Sequence, residues 1–118
     1  MIEAICRIAS ACRKDSLVGA ITKTGYFDAS DALELESISR YLKEHPNLID
    51  DWLTYSGDKR SAPSWYFRRA GDGRYEVGFF PKEKPTFYAD PSVACAIFIL
   101  NELRGARSRR DSARGRKK

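Results

Sequence analysis

Histidine is almost missing from this chain. Its 118 residues include one His, one Met and three Cys. A nucleophile–base pair needs a base poised near neutrality, and the single candidate, His45, stands directly before Pro46 at a helix end. There its charge suits the helix dipole and it has a surface role. The three cysteines, Cys6, Cys12 and Cys95, cannot all pair within one chain, and their spacing with one His matches no zinc pattern. They read as buried reduced thiols, as expected in the cytoplasm. No metal and no cofactor is expected.

Long apolar runs are missing as well. The longest, Val93 to Leu100, is far short of the ~20 residues a membrane-spanning helix needs. At the N-terminus Glu3, Arg7, Arg13 and Lys14 break any secretory h-region. The expected location is the cytoplasm, away from membranes. Gly71-Asp72-Gly73 has no Lys-Ser/Thr after it and lies between two β-rich runs, so it is a turn and not a phosphate loop. Asp50 and Asp51 diverge by about 100° on a helix, which makes them a poor acid/base pair. The chain is not expected to be an enzyme.

Charge is abundant but unevenly placed. Residues 105–118 hold seven Arg/Lys against Asp111, a net of +6, and residues 1–104 carry a net of −1. Between Asp28 and Asp58 the balance reverses. Asp28, Asp31, Glu34, Glu36, Glu44, Asp50, Asp51 and Asp58 face only Arg40 and Lys43, a net of −6. Such a cluster suits a basic partner, because complementary potential steers encounter. Trp52 and Tyr55 nearby are residue types that anchor interfaces. Asp28, Asp31, Glu34, Asp50, Asp51, Trp52, Tyr55 and Asp58 are therefore the expected protein-binding set.

The apolar pattern gives one α+β domain over residues 1–104 and a disordered basic tail over 105–118, with a small antiparallel three-stranded sheet packed against N-terminal helices and a buried C-terminal helix. Residues 2–14 carry Ile5, Ile8, Ala9 and Cys12 on one helical face; residues 15–27 are ambiguous. A helix is expected from about Asp31, capped by Asp28 or Ser30, to Glu44, and a shorter one from an Asn47 cap to Tyr55, with Ser56-Gly57-Asp58 as loop. Ser64–Arg69 and Arg74–Phe80 form a hairpin about Ala70–Gly73. Trp65, Phe67, Tyr75, Val77 and Phe79 make its core face. Thr86–Ala89 is a third strand. Asp90 caps the last helix, Pro91 opens it and Gly105 ends it.

Tyr66, Phe80 and Tyr88 are expected to form an outward aromatic strip beside Arg68 and Arg69, as a base-stacking platform requires. Together with Arg109, Arg110 and Arg116 of the tail they make the alternative, nucleic-acid-binding set. The order helix–three strands–helix resembles the double-stranded-RNA-binding domain in topology. That family's basic cluster would fall at Pro91-Ser92-Val93-Ala94, which carries no charge, and its loop motif after the first strand is absent.

A second resemblance covers about a third of the chain. Trp65-Tyr66-Phe67, Gly73-Arg74-Tyr75-Glu76-Val77-Gly78, Phe87-Tyr88-Ala89-Asp90 and Ala94 to Leu103 together resemble the C-terminal half of small bacterial immunity proteins of contact-dependent inhibition and other polymorphic toxin systems. The resemblance implies a binding protein whose partner is a cognate toxin domain, neutralised by covering its active surface. It transfers no inhibitory residue. The alternative is a small nucleic-acid-associated regulatory protein using the tail and the sheet aromatics.

Overall fold

A computed structural model describes residues 2–11, 17–24, 34–58, 64–80 and 85–115. The elements in chain order are α1 (Ile2–Cys6), α2 (Ile8–Ala11), α3 (Leu17–Thr24), α4 (Leu35–Glu44), α5 (Pro46–Asp58), β1 (Ser64–Arg69), β2 (Tyr75–Phe80), β3 (Thr86–Tyr88) and α6 (Pro91–Gly115). The fold is α+β, with an open antiparallel sheet ordered β1-β2-β3.

The hairpin forms where the two β-rich runs meet a turn that only glycine closes easily. Gly73 has φ +88°, a conformation without steric cost for glycine. The Ala70 amide donates to the Arg74 carbonyl at 2.7 Å, and the Gly73 amide to the Ala70 carbonyl at 3.2 Å. Asp72 braces the turn by accepting from the Arg74 amide at 3.1 Å and from its Nε at 2.7 Å. Register then assigns the faces. Trp65↔Phe79, Phe67↔Val77 and Arg69↔Tyr75 lie on one, Tyr66↔Gly78 and Arg68↔Glu76 on the other. The first face packs inward, with Phe67 and Val77 buried, as the alternation requires.

α6 begins as its sequence demands. Asp90 accepts from the Ser92 amide at 2.9 Å and its hydroxyl at 2.6 Å, and it pairs with Lys43 of α4 at 3.2 Å. Ala94, Cys95 and Ala96 are fully buried. Small residues there let α4 lie close, and Ser39 of α4 meets the Ser92 hydroxyl at 3.2 Å in the buried seam. One turn on, Phe98 is the centre of the core. Its ring lies 6.0 Å from Trp52, 5.8 Å from Phe67 and 6.2 Å from Tyr55. Ile5, Ile8, Ile21, Ile38, Leu42 and Leu48 complete the core, so the helices and the inner sheet face share one apolar interior.

Several boundaries differ from the sequence reading. Residues 2–11 form two short helices broken at Arg7, and the ambiguous stretch contains helix α3. α4 starts at Leu35, with Glu34 at its N-cap making no side-chain cap bond. Asp28, Ser30 and Asp31 lie outside the described residues. α5 opens on Pro46, so His45, not Asn47, precedes it, and Ser56-Gly57-Asp58 is its last turn instead of loop. Proline at a first helical position loses no hydrogen bond. The Ser56 hydroxyl is held at the edge of β1, accepting from the Phe67 amide at 2.7 Å. α6 does not stop at Gly105. It runs to Gly115, because Ala106 packs into the core at 0% exposure and arginine is a good helix former. Residues 105–115, expected as disordered tail, are helical.

Candidate functional site

Two surfaces carry the residues singled out above. The first is the outer side of α4 and α5. Ile38, Leu42, Leu48, Ile49 and Trp52 turn inward, which leaves Glu34, Glu36, Glu44 and Asp50 exposed and Asp51 half-buried. Over residues 34–58 six carboxylates oppose Arg40 and Lys43, a net of −4. Part of this charge is met locally. Glu36 pairs with Arg40 at 3.1 Å and Asp50 with Arg69 of β1 at 3.3 Å; both pairs are exposed and hold little energy.

Trp52 does not belong to this surface. It is 1% exposed, and its Nε1 donates to the Cys6 carbonyl at 2.8 Å. The apolar stripe of α5 faces the core, and Trp52 shares it with Leu48 and Ile49. Tyr55 is half-buried and ties α5 to α6 by donating to Glu102 at 2.9 Å. Asp58 ends α5, and its side chain is outside the described set.

The second surface is the outer sheet face. Here the aromatic strip is corrected. The β2–β3 register pairs Tyr75 with Tyr88 and Glu76 with Phe87, so Tyr88 belongs to the inner face and packs against the core. Phe87, 40% exposed, takes its place outside, with the Arg74 guanidinium 4.8 Å from its ring centre. The sequence signal for Phe87 was parity, but the connection from β2 to β3 does not fix register.

Tyr66 lies outward but is not an open stacking platform. Its ring crosses Gly78 on one side and meets the Arg68 guanidinium at 5.2 Å. Its hydroxyl donates to the Glu76 carboxylate. Glu76 also accepts from Arg68 Nε and Nη2, each at 3.2 Å. Burial pushes the Glu76 carboxyl up, yet the Tyr66 and Arg68 hydrogen bonds outweigh it and hold the group below the usual carboxylate range. Tyr66 is pushed up to about 12 by burial, then by its bond to Glu76. An open depression of about 500 Å³ beside this cluster is bounded by Arg68, Asp72, Arg74, Glu76 and Phe87. Its three arginines are already committed: Arg68 to Glu76, Arg69 to Asp50, and Arg74 to Asp72 at 2.6 Å.

The remaining candidates fall elsewhere. Arg109 and Arg110 sit on the distal part of α6; Arg116 and Cys12 lie outside the described residues. His45 is half-buried, bonded through Nδ1 to the Tyr41 carbonyl at 3.0 Å and stacked on the Tyr41 ring at 4.2 Å. Cys6 and Cys95 are buried free thiols. Burial raises the Cys6 thiol to about 12 and Cys95 well above its usual value, so neither is poised as a nucleophile. Among the described residues there is no His/Cys/Asp/Glu group able to hold a metal, and no helix long and apolar enough to cross a membrane.

No family model, curated protein or solved structure matches this chain.

Proposed function

We propose that this chain is a cytoplasmic protein-binding module that neutralises a cognate toxin domain by covering its active surface, with α4 and α5 as the contact. The observation that carries this reading is the exposed carboxylate surface of Glu34, at the N-cap of α4, and Glu36, Glu44 and Asp50 on two consecutive helices anchored in the core. A surface held in this way loses little entropy on binding, and its sign suits a basic partner. The likeness of the C-terminal half to immunity proteins supplies the partner class. The mode of action is occlusion, without chemistry on the partner.

The alternative, a nucleic-acid regulator working through sheet aromatics, has less support. Tyr88 turns inward, Tyr66 is covered, and the nearby arginines are paired with carboxylates.

The test is a pull-down from source-cell lysate, with and without nuclease, using the parent and the variant Asp50→Lys/Asp51→Lys. The expected result is a nuclease-resistant basic protein whose association slows in the variant and becomes less salt-dependent. Recovery of nucleic acid alone, undiminished by the charge reversal, overturns the reading.

A further inference from the structure

A groove of about 370 Å³ runs beside α4, lined by Leu35, Glu36, Ser39, Arg40 and Lys43 of that helix and by Val93 of α6. Two large apolar side chains are exposed among the described residues. One, Phe87, has the Arg74 guanidinium over its ring; the other, Leu35, is 37% exposed at this groove. We infer that the groove is a self-association site, occupied by α4 of a second copy of this chain packed antiparallel about a twofold axis.

Charge order along α4 selects the occupant. Glu36, Arg40 and Lys43 are four and three residues apart, so they form one row on the helix surface, about 10 Å long. The acid stands at the N-terminal end of the row and the two bases at the other. A foreign surface of a single sign matches one end and is repelled by the other. An antiparallel copy sets each Glu36 against the other copy's Arg40 and Lys43, and the twofold makes both matches at once. The existing pairs, Glu36 with Arg40 at 3.1 Å and Lys43 with Asp90 at 3.2 Å, are exposed and hold little energy, so these side chains can turn to the second copy at small cost.

Packing supports the same geometry. Ser39, beside the middle of the row, is small and buried, with its hydroxyl against that of Ser92 at 3.2 Å, so it leaves room for a second helix to approach. Leu35 and half-buried Val93 give the contact an apolar centre, rimmed by charge as interfaces are. The groove is small, which makes the dimer a weak, concentration-dependent one. Glu44 and Asp50 do not line it, so the inference is independent of partner binding through the acidic surface. Asp50→Lys/Asp51→Lys should leave self-association unchanged.

The test is sedimentation equilibrium of the full chain from low micromolar to millimolar concentration. The weight-average mass is expected to rise from 13.4 kDa towards twice that value, and to rise less in high salt, which screens the exposed pairs. Glu36→Arg makes the row wholly basic, and Arg40→Glu/Lys43→Glu makes it wholly acidic. Each sets like charges against each other in a homodimer, and each is expected to weaken association at least about tenfold. Mixed in equal amounts, the two variants are expected to associate at least as tightly as the parent. Leu35→Ser is expected to weaken association to a similar degree, through the apolar centre. Thermal melting by circular dichroism checks that each variant folds. If a charge variant does not, Leu35→Ser, a mild change at an exposed site, decides. The inference is overturned by a parent that stays monomeric up to millimolar concentration, by folded charge variants or a Leu35→Ser variant that associate as the parent does, or by a mixture no more associated than its separate components.

Discussion

Tyr66 lies across Gly78, its partner on the neighbouring strand: a β-carbon at position 78 would stand 2.6–2.9 Å from three atoms of the tyrosine. Glycine at 78 is thus the seat of the ring, and the seat delivers the hydroxyl to Glu76. Without that hydroxyl and Arg68, Glu76 would be a carboxylate of 6% exposure stripped of these hydrogen bonds.

The substitution Gly78→Ala is expected to push Tyr66 off this seat and break its bond to Glu76. The loss should be about 1–3 kcal/mol, the range for a buried polar group deprived of its partner. Because Gly78→Ala and Tyr66→Phe act on one interaction, the double variant should be less destabilised than the sum of the singles. Additive urea midpoints would show the seat and the bond to be independent.

The same cluster sets two pH dependences of opposite sign. Glu76 has its folded value depressed, so its stabilisation is present above the ordinary carboxylate value and is lost as pH falls through the lower, folded one. The stability gap between the parent and Glu76→Gln should therefore narrow on acidification. Tyr66 is raised to about 12 from an ordinary 10.0. Its contribution is intact below 10 and is lost as pH rises towards 12. Alkaline ultraviolet titration should show one late-ionising tyrosine, absent in Tyr66→Phe. A parent with no late step would contradict the cluster geometry.

Phe98→Ala should cost about 3–5 kcal/mol, because the ring is fully buried among Trp52, Phe67 and Tyr55. For a domain of this size that approaches half or more of the stability. Thermal or urea unfolding measures it, and an unchanged midpoint would remove Phe98 from the core.

Local signals in the sequence found what local physics fixes. Asp90-Pro91 gave the start of α6, and the Gly/Asp turn with period-two alternation gave the hairpin and its inner face. Features set by tertiary packing were not legible. Trp52 suits an interface by residue type, but its place in the stripe with Leu48 and Ile49 turns it to the Cys6 carbonyl. The residues between the second and third strands carry no turn signal that fixes their register in the sequence, so Tyr88 reads as outward; pairing with Tyr75 turns it in. Gly105 is a stop by propensity, with a cost near 1 kcal/mol in a helix interior. Burial of Ala106 one residue later offsets it. Of the acidic surface, the sequence showed the charge, and the fold adds that Glu34, Glu36, Glu44 and Asp50 are exposed. It could not show that Asp50 is partly met by Arg69 across the α5–β1 junction.

That continuation of α6 makes the position of a truncation matter. Removing residues 105–118 would delete Ala106, at 0% exposure, and half-buried Arg107, and would end the helix one residue after Leu103, at 1% exposure. Buried methyl and methylene groups contribute about 0.8 kcal/mol each, so truncation after Arg104 should cost about 1–2 kcal/mol. Truncation after Ser108 keeps both residues, and should leave the midpoint nearly unchanged. Urea unfolding of the two truncations beside the parent separates the cases. If both unfold with the parent, the end of α6 adds nothing to the core. If both are destabilised alike, the stabilising contacts lie beyond Ser108.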